Sequence, residues 1–405
     1  MTIKSKGLVL IGFAEALSAP EVAWSLVEHG YTVQAFVRRG RRTALRHSKY
    51  VTCHEITAPE ADVEVAVAEL RSLLESLKEG ARDVPLVLFP LDDNAVWVCD
   101  KVADESGWML AGPTGGSADA ALNKDRQMNV AMRSGLNVPE TRIIEQPDQF
   151  DALDLEFPII MRPAQAVFQQ ENRLRKLRKW ICQSQDELDA AIQEWAGEVP
   201  LVVQPYFLGT GEGVFGLAVQ GGIRAWSAHR RVRMMNPHGS GSSACESQKM
   251  LEELKIPITR FLKDSGWSGL FMIELLRDSE GEIWFIEFNG RPWGSMALAR
   301  RQGLEYPAWT IDLMLNSQSI VGLDTKPTEA RLCRHFGREF MHMLFVFKGP
   351  KSRALTEWPS TWSTFTSLAN LNRYDAAYNW SRDDPKVFFY DFYYTIYGQI
   401  FKPKR

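Results

Sequence analysis

The sequence reads GLFMIELL at residues 269–276 and IWFIEFNGRP at residues 283–292, with the turn DSEG at residues 278–281 between them. Two apolar segments around such a turn predict a β-hairpin. Glu274 and Glu287 lie inside these segments, where an ionised carboxylate needs a compensating positive charge. Asn289 is two residues beyond Glu287 and shares its face of the strand. Because the hairpin places Glu274 across from Glu287, three oxygen-bearing side chains converge.

This convergence indicates a metal site. Hard oxygen ligands suit Mg²⁺, whose coordination shell is completed by water and by phosphate oxygens. The alternative is a pair of solvated glutamates on a half-exposed hairpin. Large apolar residues on both sides of each glutamate, and the pattern Glu-x-Asn-x-Arg that ends at Arg291, favour the metal site.

Strands and helices alternate in the first part of the chain. Residues 7–13 and 31–37 predict strands joined by a helix at residues 21–29, which is a βαβ unit of a parallel sheet. A helix at 63–78 and a buried strand at 85–90 extend this unit. Asp92 and Asp93 follow the last strand, at the sheet edge where such folds bind ligands. Both are candidates for substrate contact.

The middle of the chain predicts a mixture of helix and short strands. Residues 119–135 predict a helix, and residues 141–144, 158–162 and 201–204 predict strands. A hairpin at 213–229 turns at Gly221 and Gly222. The basic run RLRKLRK lies at residues 173–179, between the predicted strands 158–162 and 201–204.

Composition excludes several classes of protein. The 405 residues are 45% hydrophobic, enough for two or three packed units. The net charge of −3 argues against nucleic-acid binding, which needs a basic surplus. Five scattered cysteines without a CxxC pair argue against disulfides and zinc. No signal-peptide pattern and no run of about 20 apolar residues is present, so we expect a cytoplasmic protein.

The hairpin with Glu274, followed by Glu287-Phe-Asn289-Gly-Arg291, resembles the metal-binding signature of the ATP-grasp superfamily. Carboxylate–amine ligases and carbamoyl-phosphate-synthetase-like members are the most similar, and the resemblance covers residues 1–320. It implies a fold of the α/β and α+β classes. A doubly wound βαβ domain (1–118) precedes an ATP-grasp fold of two α+β subdomains that clamp ATP, lid-side (119–205) and metal-binding (206–325). An aromatic-rich extension (326–405) follows.

The same resemblance implies a nucleotide site. Lys124 and Arg162 would contact the nucleotide, with Arg162 at a position where the family commonly has lysine. The hinge after residue 203 would contact adenine, and an acidic residue beyond it would bind the ribose hydroxyls. The hinge residues are Gln204, Pro205, Tyr206 and Phe207, and the acidic residue is Glu212. A solvated Lys124, a structural Arg162 and a plain strand ending in a glycine-rich turn are the alternatives.

The lid departs from the family pattern. Residues 164–172 contain no glycine, although the family often covers the phosphates with a glycine-rich loop. Arg173 or Arg175 would replace the backbone amides of that loop, or the basic run would form a solvated helix face.

Four further residues are candidate catalytic groups. His229, Arg231 and Arg233 alternate along one predicted strand and so share a face, while Arg291 adjoins the metal ligands. Positive charge there fits a carboxylate or a phosphoryl group in transfer. A structural histidine and surface arginines are the alternatives.

The resemblance implies an ATP-dependent ligase. It would activate a small-molecule carboxylate as an acyl phosphate and transfer the acyl group to an amine, with ATP and two Mg²⁺ ions as cofactors and Mn²⁺ as a substitute. A non-catalytic ATP-binding sensor, a thiol acceptor and a bicarbonate donor are the alternatives. The sequence has no GxSxG elbow, Walker loop or GxGxxG motif.

The last part of the chain is aromatic. Trp358, Trp362, Tyr374, Trp380 and FFYDFYY at residues 388–394 predict core packing or a homo-oligomer interface. A helix on a membrane surface, ending in Lys402, Lys404 and Arg405, is the disfavoured alternative.

Overall fold

A computed structural model describes residues 5–81, 83–237, 239, 241–315, 331–350, 358–370 and 376–401. The predicted boundary at 325/326, Tyr374 and the basic residues 402–405 lie outside these ranges. In the described part of the chain, no helix combines the length and the apolar character needed to cross a bilayer.

The chain begins with a parallel five-stranded sheet in the order β3-β2-β1-β4-β5. Its two central strands, β1 and β4, are buried throughout, as expected for strands covered on both faces. The strands are β1 Leu8–Gly12, β2 Thr32–Arg38, β3 Val51–Ile56, β4 Leu86–Pro90 and β5 Met109–Leu110, and the helices are α1 Ala19–Glu28, α2 Val63–Gly80 and α3 Asp93–Ser106. The βαβ prediction is confirmed. The sequence reading missed β3, an edge strand whose polar, half-exposed middle hides its period.

Residues 116–134 form two helices, α4 Gly116–Leu122 and α5 Lys124–Ser134, where one helix was predicted. Asn123 leaves the helical conformation, and its side chain accepts a hydrogen bond from the Arg126 backbone amide at 3.0 Å. An N-cap of this kind starts a new helix. The break places Lys124 in the first turn of α5, where its backbone amide donates to the Ala164 carbonyl.

The lid side has a four-stranded antiparallel sheet in the order β10-β7-β11-β6 and a separate β8–β9 hairpin. Its elements are β6 Arg142–Ile144, β7 Ile159–Pro163, β8 Phe168–Gln170, β9 Arg173–Arg175, β10 Trp180–Cys182, α6 Gln185–Trp195 and β11 Leu201–Pro205. The three predicted strands are confirmed. The helical reading of residues 173–179 is wrong, because Leu174 alternates with Arg173 and Arg175 and is buried between two exposed arginines.

The largest sheet has seven strands in the order β16-β15-β12-β13-β14-β17-β18, in which β17 is Leu332–Arg334 and β18 is Ala376–Ala377. Its elements and flanking helices are β12 Thr210–Val219, β13 Gly222–Met234, β14 Ser242–Gln248, α7 Lys255–Asp264, β15 Gly269–Arg277, β16 Ile283–Asn289, α8 Met296–Arg301 and α9 Tyr306–Leu315. The predicted β12–β13 hairpin is confirmed. One core joins this sheet to the N-terminal sheet, with Phe215 and Trp293 packed beside strand β1 residues.

The C-terminal segment is more than an appended element. It contains β17 Leu332–Arg334, α10 Phe336–Lys348, α11 Thr361–Ala369, β18 Ala376–Ala377 and α12 Pro385–Ile400, and β17 extends the large sheet by pairing with β14. Helix α12 reaches the 3-10 turn between β2 and β3, where Tyr390 stacks on His47 with 3.3 Å between ring centroids. The aromatic residues are divided: Tyr378 is buried, whereas Trp362 is 74% exposed. The four-part division of the chain remains a prediction.

Candidate functional site

The predicted metal hairpin is confirmed as a structure. Strands β15 and β16 pair antiparallel, with Glu274 opposite Glu287 and Met272 opposite Asn289. The register shifts immediately after Glu274, and such a bulge re-aims the neighbouring side chains. Glu274, Glu287 and Asn289 line one cavity of about 630 Å³, which we call the central cavity.

Cations of the protein balance both glutamates. Lys124 Nζ lies 3.5 Å from Glu287 Oε1, and an Arg231 nitrogen lies 2.9 Å from Glu274 Oε1. Burial raises the pKa of Glu287, but the positive charges of Lys124 and Arg162 outweigh burial and hold that pKa below its usual value. Glu287 is therefore ionised at neutral pH, as a metal ligand must be.

The donor set fits Mg²⁺ only together with a polyanion. Among the described residues, no group of three or more His, Cys, Asp and Glu side chains is placed to hold a metal. Two carboxylates and one amide oxygen supply half of an octahedral shell, and Mg²⁺ readily completes such a shell with water and phosphate oxygens. The surplus of cations around the hairpin favours the same combination.

A second cavity, of about 410 Å³, lies beside the segment 204–209 and is called the hinge cleft. Five of the seven predicted nucleotide residues line it: Arg162, Gln204, Pro205, Tyr206 and Phe207. Apolar side chains such as Ile160 and Leu276 complete its walls. A mostly apolar slot with a few polar groups suits a planar base.

Arg162 is the polar end of this cleft. Its guanidinium donates to Gln204 Oε1 at 2.5 Å and to the Ile286 carbonyl at 3.3 Å. Its Nε is buried and finds no acceptor among the described residues. A buried donor without a partner costs about 1–3 kcal/mol, so an oxyanion bound here would relieve that cost.

The other two predicted nucleotide residues face different partners. Glu212 is buried and accepts two hydrogen bonds from Arg277, at 2.8 and 3.0 Å. Lys124, in the first turn of α5, points toward Glu287 of the hairpin. The structure thus brings Lys124 to a predicted metal ligand, Glu287, and engages Glu212 in an ion pair.

Arg291 is locked in place from the N-terminal sheet. Its Nε donates to Asp93 Oδ1 at 2.5 Å, and Lys176 Nζ lies 3.1 Å from the other oxygen of Asp93. Burial raises the pKa of Asp93, but Arg291 and Lys176 lower it well below its usual range. One carboxylate at the end of β4 therefore holds both an arginine of the hairpin and a lysine of the lid.

The predicted row of cations on β13 is divided by a bulge. Arg231 reaches Glu274 and also donates to Ser242 Oγ at 2.9 Å. The register shifts between Arg231 and Arg233, and Arg233 turns to Glu339 of the C-terminal segment. The structure therefore brings Arg231 to the site and Arg233 away from it.

His229 lines the central cavity. Its Nδ1 is 2.8 Å from Ser295 Oγ. Burial, with a contribution from Arg231, lowers the pKa of His229 to about 3. The ring is therefore neutral at physiological pH and provides hydrogen bonding without charge.

Sequence reasoning missed two lysines of the lid. Lys176 contacts Asp93, and Lys179 lines the hinge cleft together with Glu274 and Arg162. Both lie in the basic run 173–179, in which the predicted phosphate contacts were Arg173 and Arg175. These two arginines are exposed, because they alternate with buried Leu174.

No protein-family model matches the sequence, and a search of curated proteins finds no significant match. Solved structures do match. The L-amino acid ligase from Bacillus licheniformis has a TM-score of 0.62 and 18% identity, over 82% of this chain and 80% of that chain. An N5-carboxyaminoimidazole ribonucleotide synthetase, solved as its ADP complex, has a TM-score of 0.60 and 14% identity, over 91% of this chain and 98% of that chain.

A third match is the biotin carboxylase domain of 2-oxoglutarate carboxylase from Hydrogenobacter thermophilus, in complex with MgADP, ADP and bicarbonate. It has a TM-score of 0.60 and 14% identity, over 80% of this chain and 73% of that chain. Likeness at such low identity establishes the fold. The chain therefore has the ATP-grasp fold that its hairpin sequence resembles.

Proposed function

We propose that this protein is an ATP- and Mg²⁺-dependent ligase that phosphorylates a carboxylate and transfers the acyl group to an amine. One observation carries the proposal: the hinge cleft and the central cavity share Glu274, Arg231 and Gly241 in their walls. A nucleotide with its base in the hinge cleft would extend its phosphates toward this shared wall. Its terminal phosphate would then face the metal carboxylates and the second substrate.

The residues divide the work between binding and charge neutralisation. Glu274, Glu287 and Asn289 would hold Mg²⁺, which supplies positive charge to the phosphate oxygens. Arg162, with its unpaired buried Nε, would bind a phosphate oxygen at the end of the hinge cleft. Lys124 and Lys179 add positive charge on either side of the hairpin.

The reaction would proceed in two displacements. A carboxylate oxygen of the substrate attacks the terminal phosphorus of ATP, so that ADP leaves and an acyl phosphate forms. The amine then attacks the acyl carbon and expels inorganic phosphate, with loss of a proton from nitrogen. Arg231 and Arg291 would offset the negative charge that develops in both steps, and catalysis rests on positioning and electrostatics.

The solved relatives support the nucleotide and the metal. Two of these structures contain ADP or MgADP, and the third is an L-amino acid ligase. For this chain, the acid and the amine, the use of two metal ions and the substitution of Mn²⁺ for Mg²⁺ remain part of the proposal.

One observation favours a second candidate, a nucleotide-binding module without turnover. The β8–β9 lid has no glycine between residues 164 and 172, and its Lys176 is paired with Asp93. Without a glycine-rich loop, fewer backbone amides can approach the phosphates closely. Such a module would bind ATP and release no ADP.

A screen for substrate-dependent ADP formation tests the two candidates. The protein is mixed with Mg²⁺, ATP and pairs drawn from amino acids, small carboxylates, amines and thiols, and products are identified by mass spectrometry. ADP, phosphate and an amide in equal amounts support the proposed ligase. A thioester in place of the amide would identify a thiol as the acceptor. Tight Mg²⁺-ATP binding with no ADP from any pair overturns the ligase in favour of the module.

A further inference from the structure

A third cavity, of about 250 Å³, continues the central cavity beneath the C-terminal helix and is called the extension crevice. The two cavities share Ala16, Leu17 and Arg338 in their walls. The crevice lies between the loop after β1 and residues Tyr394, Thr395 and Gly398 of α12. The C-terminal segment therefore forms one wall of a space that opens into the central cavity.

Helix α12 is anchored where it covers the crevice. Trp24 Nε1 donates to Asp384 at 3.1 Å, and His47 Nε2 is 2.9 Å from the Tyr394 hydroxyl. These contacts join the C-terminal segment to helix α1 and to the 3-10 turn at residues 44–47. The wall is thus a fixed part of the fold, able to position a ligand.

The carboxylates that line the two cavities already have basic partners among the described residues. The pairs are Glu15 and Asp92 with Arg38, Asp93 with Arg291 and Lys176, Glu274 with Arg231, Glu287 with Lys124, and Asp391 with His335. Apart from Asp391, whose charge acts on both His335 and Arg338, each of these acids is balanced by a cation of the protein, and a cation in these walls that forms no ion pair is available to a ligand.

Arg338 is such a cation. Its Nη1 donates to the Ser242 carbonyl at 3.0 Å, but its guanidinium forms no ion pair with a carboxylate of the described residues. Burial lowers the pKa of Arg338, since a guanidinium is costly to keep charged away from water. A partly buried arginine that forms no ion pair within the described part of the chain, and that faces two connected cavities, fits an oxyanion geometrically as well as in charge.

We propose that Arg338 binds an oxyanion group, a carboxylate or a phosphate, of the substrate that fills the extension crevice. The group is distinct from the one that reacts, because the metal residues Glu274, Glu287 and Asn289 line the central cavity and not the crevice. The C-terminal segment would then select a substrate that carries an anionic group at a distance from its reacting amine or carboxyl. This inference rests on the proposed function.

The test compares Arg338→Met, which removes the charge at similar length, with Arg338→Lys and with Lys348→Met. Lys348 lies on the same helix and is exposed, so its variant controls for loss of a charge on α10. Substrates are L-amino acids against their carboxamides, and O-phosphoethanolamine against ethanolamine. ADP release is measured, and binding is followed by calorimetry with the full chain.

We expect the wild type to prefer the anionic member of one pair, which identifies carboxylate or phosphate as the bound group. Arg338→Met should raise the half-saturating concentration of that substrate at least about tenfold and abolish the preference, with ATP affinity unchanged. Arg338→Lys should retain part of the preference for the anionic substrate, and Lys348→Met should behave as wild type. Unaltered preference in Arg338→Met, or no preference in the wild type, overturns the inference.

Failure of the proposed function gives a different result. If no pair yields ADP with the wild type, the ligase proposal fails, and calorimetry alone decides about Arg338. If the wild type binds an L-amino acid or O-phosphoethanolamine and Arg338→Met does not, the result supports the site. Equal binding by both proteins, or no binding by the wild type, refutes it.

Discussion

Replacing Glu287 by glutamine tests the metal hairpin most directly. The substitution keeps the shape of the side chain and removes its charge, at a position directly opposite Glu274. Two cations, Lys124 and Arg162, hold the pKa of Glu287 low. In the variant both lose a counter-charge, and the proposed Mg²⁺ site loses one of its two carboxylates.

The structure sets the size of both effects. At the 3.5 Å separation of Lys124 and Glu287, an effective dielectric constant of about 20 gives an attraction of about 5 kcal/mol before desolvation is subtracted. Glutamine still accepts a hydrogen bond, so we expect a net loss of stability of about 1–3 kcal/mol. Loss of one preorganised electrostatic contact commonly costs 10²–10³ in turnover, so ADP production should fall at least about a hundredfold.

The assay follows ADP release and ATP binding as functions of Mg²⁺ concentration. In Glu287→Gln the half-saturating Mg²⁺ concentration should rise about tenfold or more, whereas ATP without Mg²⁺ should bind as well or better, because a repelling carboxylate is gone. Glu280→Gln, on the exposed turn of the same hairpin, controls for loss of a charge. A folded Glu287→Gln protein with near-normal activity and Mg²⁺ dependence would refute the metal assignment.

Three further predictions concern the neighbouring residues. Arg162→Met should weaken ATP binding about tenfold to a hundredfold by calorimetry, and unchanged affinity would remove Arg162 from the nucleotide site. Asp93→Asn should free Arg291 and lower kcat about tenfold or more with ATP affinity kept; a kcat equal to wild type would contradict the clamp. The pKa of His229 in the folded protein, about 3, lies below its value in the unfolded chain. The contribution of His229 to the free energy of unfolding is therefore complete above about pH 6.5. It is lost as the pH falls below that value, by up to about 1.4 kcal/mol per pH unit. His229→Gln should flatten that part of the acid denaturation profile, and an identical profile would show that the ring is not buried neutral.

The hairpin and the βαβ unit were predictable because their signals are local. The turn at residues 278–281 fixes the pairing of the strands on either side of it, and period-two alternation puts Glu287 and Asn289 on one face. Family resemblance added Arg162 and the hinge, which do line one cleft. Each of these inferences needed only residues that are close in sequence or order along the chain.

Other parts of the site depend on contacts that no local pattern encodes. Arg291 and Asp93 are 198 residues apart, and their pairing follows from how the N-terminal sheet docks on the hairpin. The register shift between Arg231 and Arg233 arises in the pairing with β14, and Arg233 pairs with Glu339, 106 residues away. The strand at Arg173–Arg175 was also hidden, because Leu174 and Leu177 are three residues apart, a spacing that fits a helix face.

The pairing of acids and bases at the hairpin bears on how a site of this kind can operate. Glu274 and Glu287 are each held by a cation that the proposed reaction also needs, Arg231 and Lys124. Binding of Mg²⁺ with a triphosphate would exchange partners, with the metal moving to the carboxylates and the cations moving to the phosphates. Because every charge keeps an opposite neighbour through this exchange, the site avoids the cost of an unpaired buried charge. Free Mg²⁺ without a triphosphate would have to displace Arg231 and Lys124 with no anion to receive them, and the hairpin should therefore bind metal and nucleotide together rather than in succession.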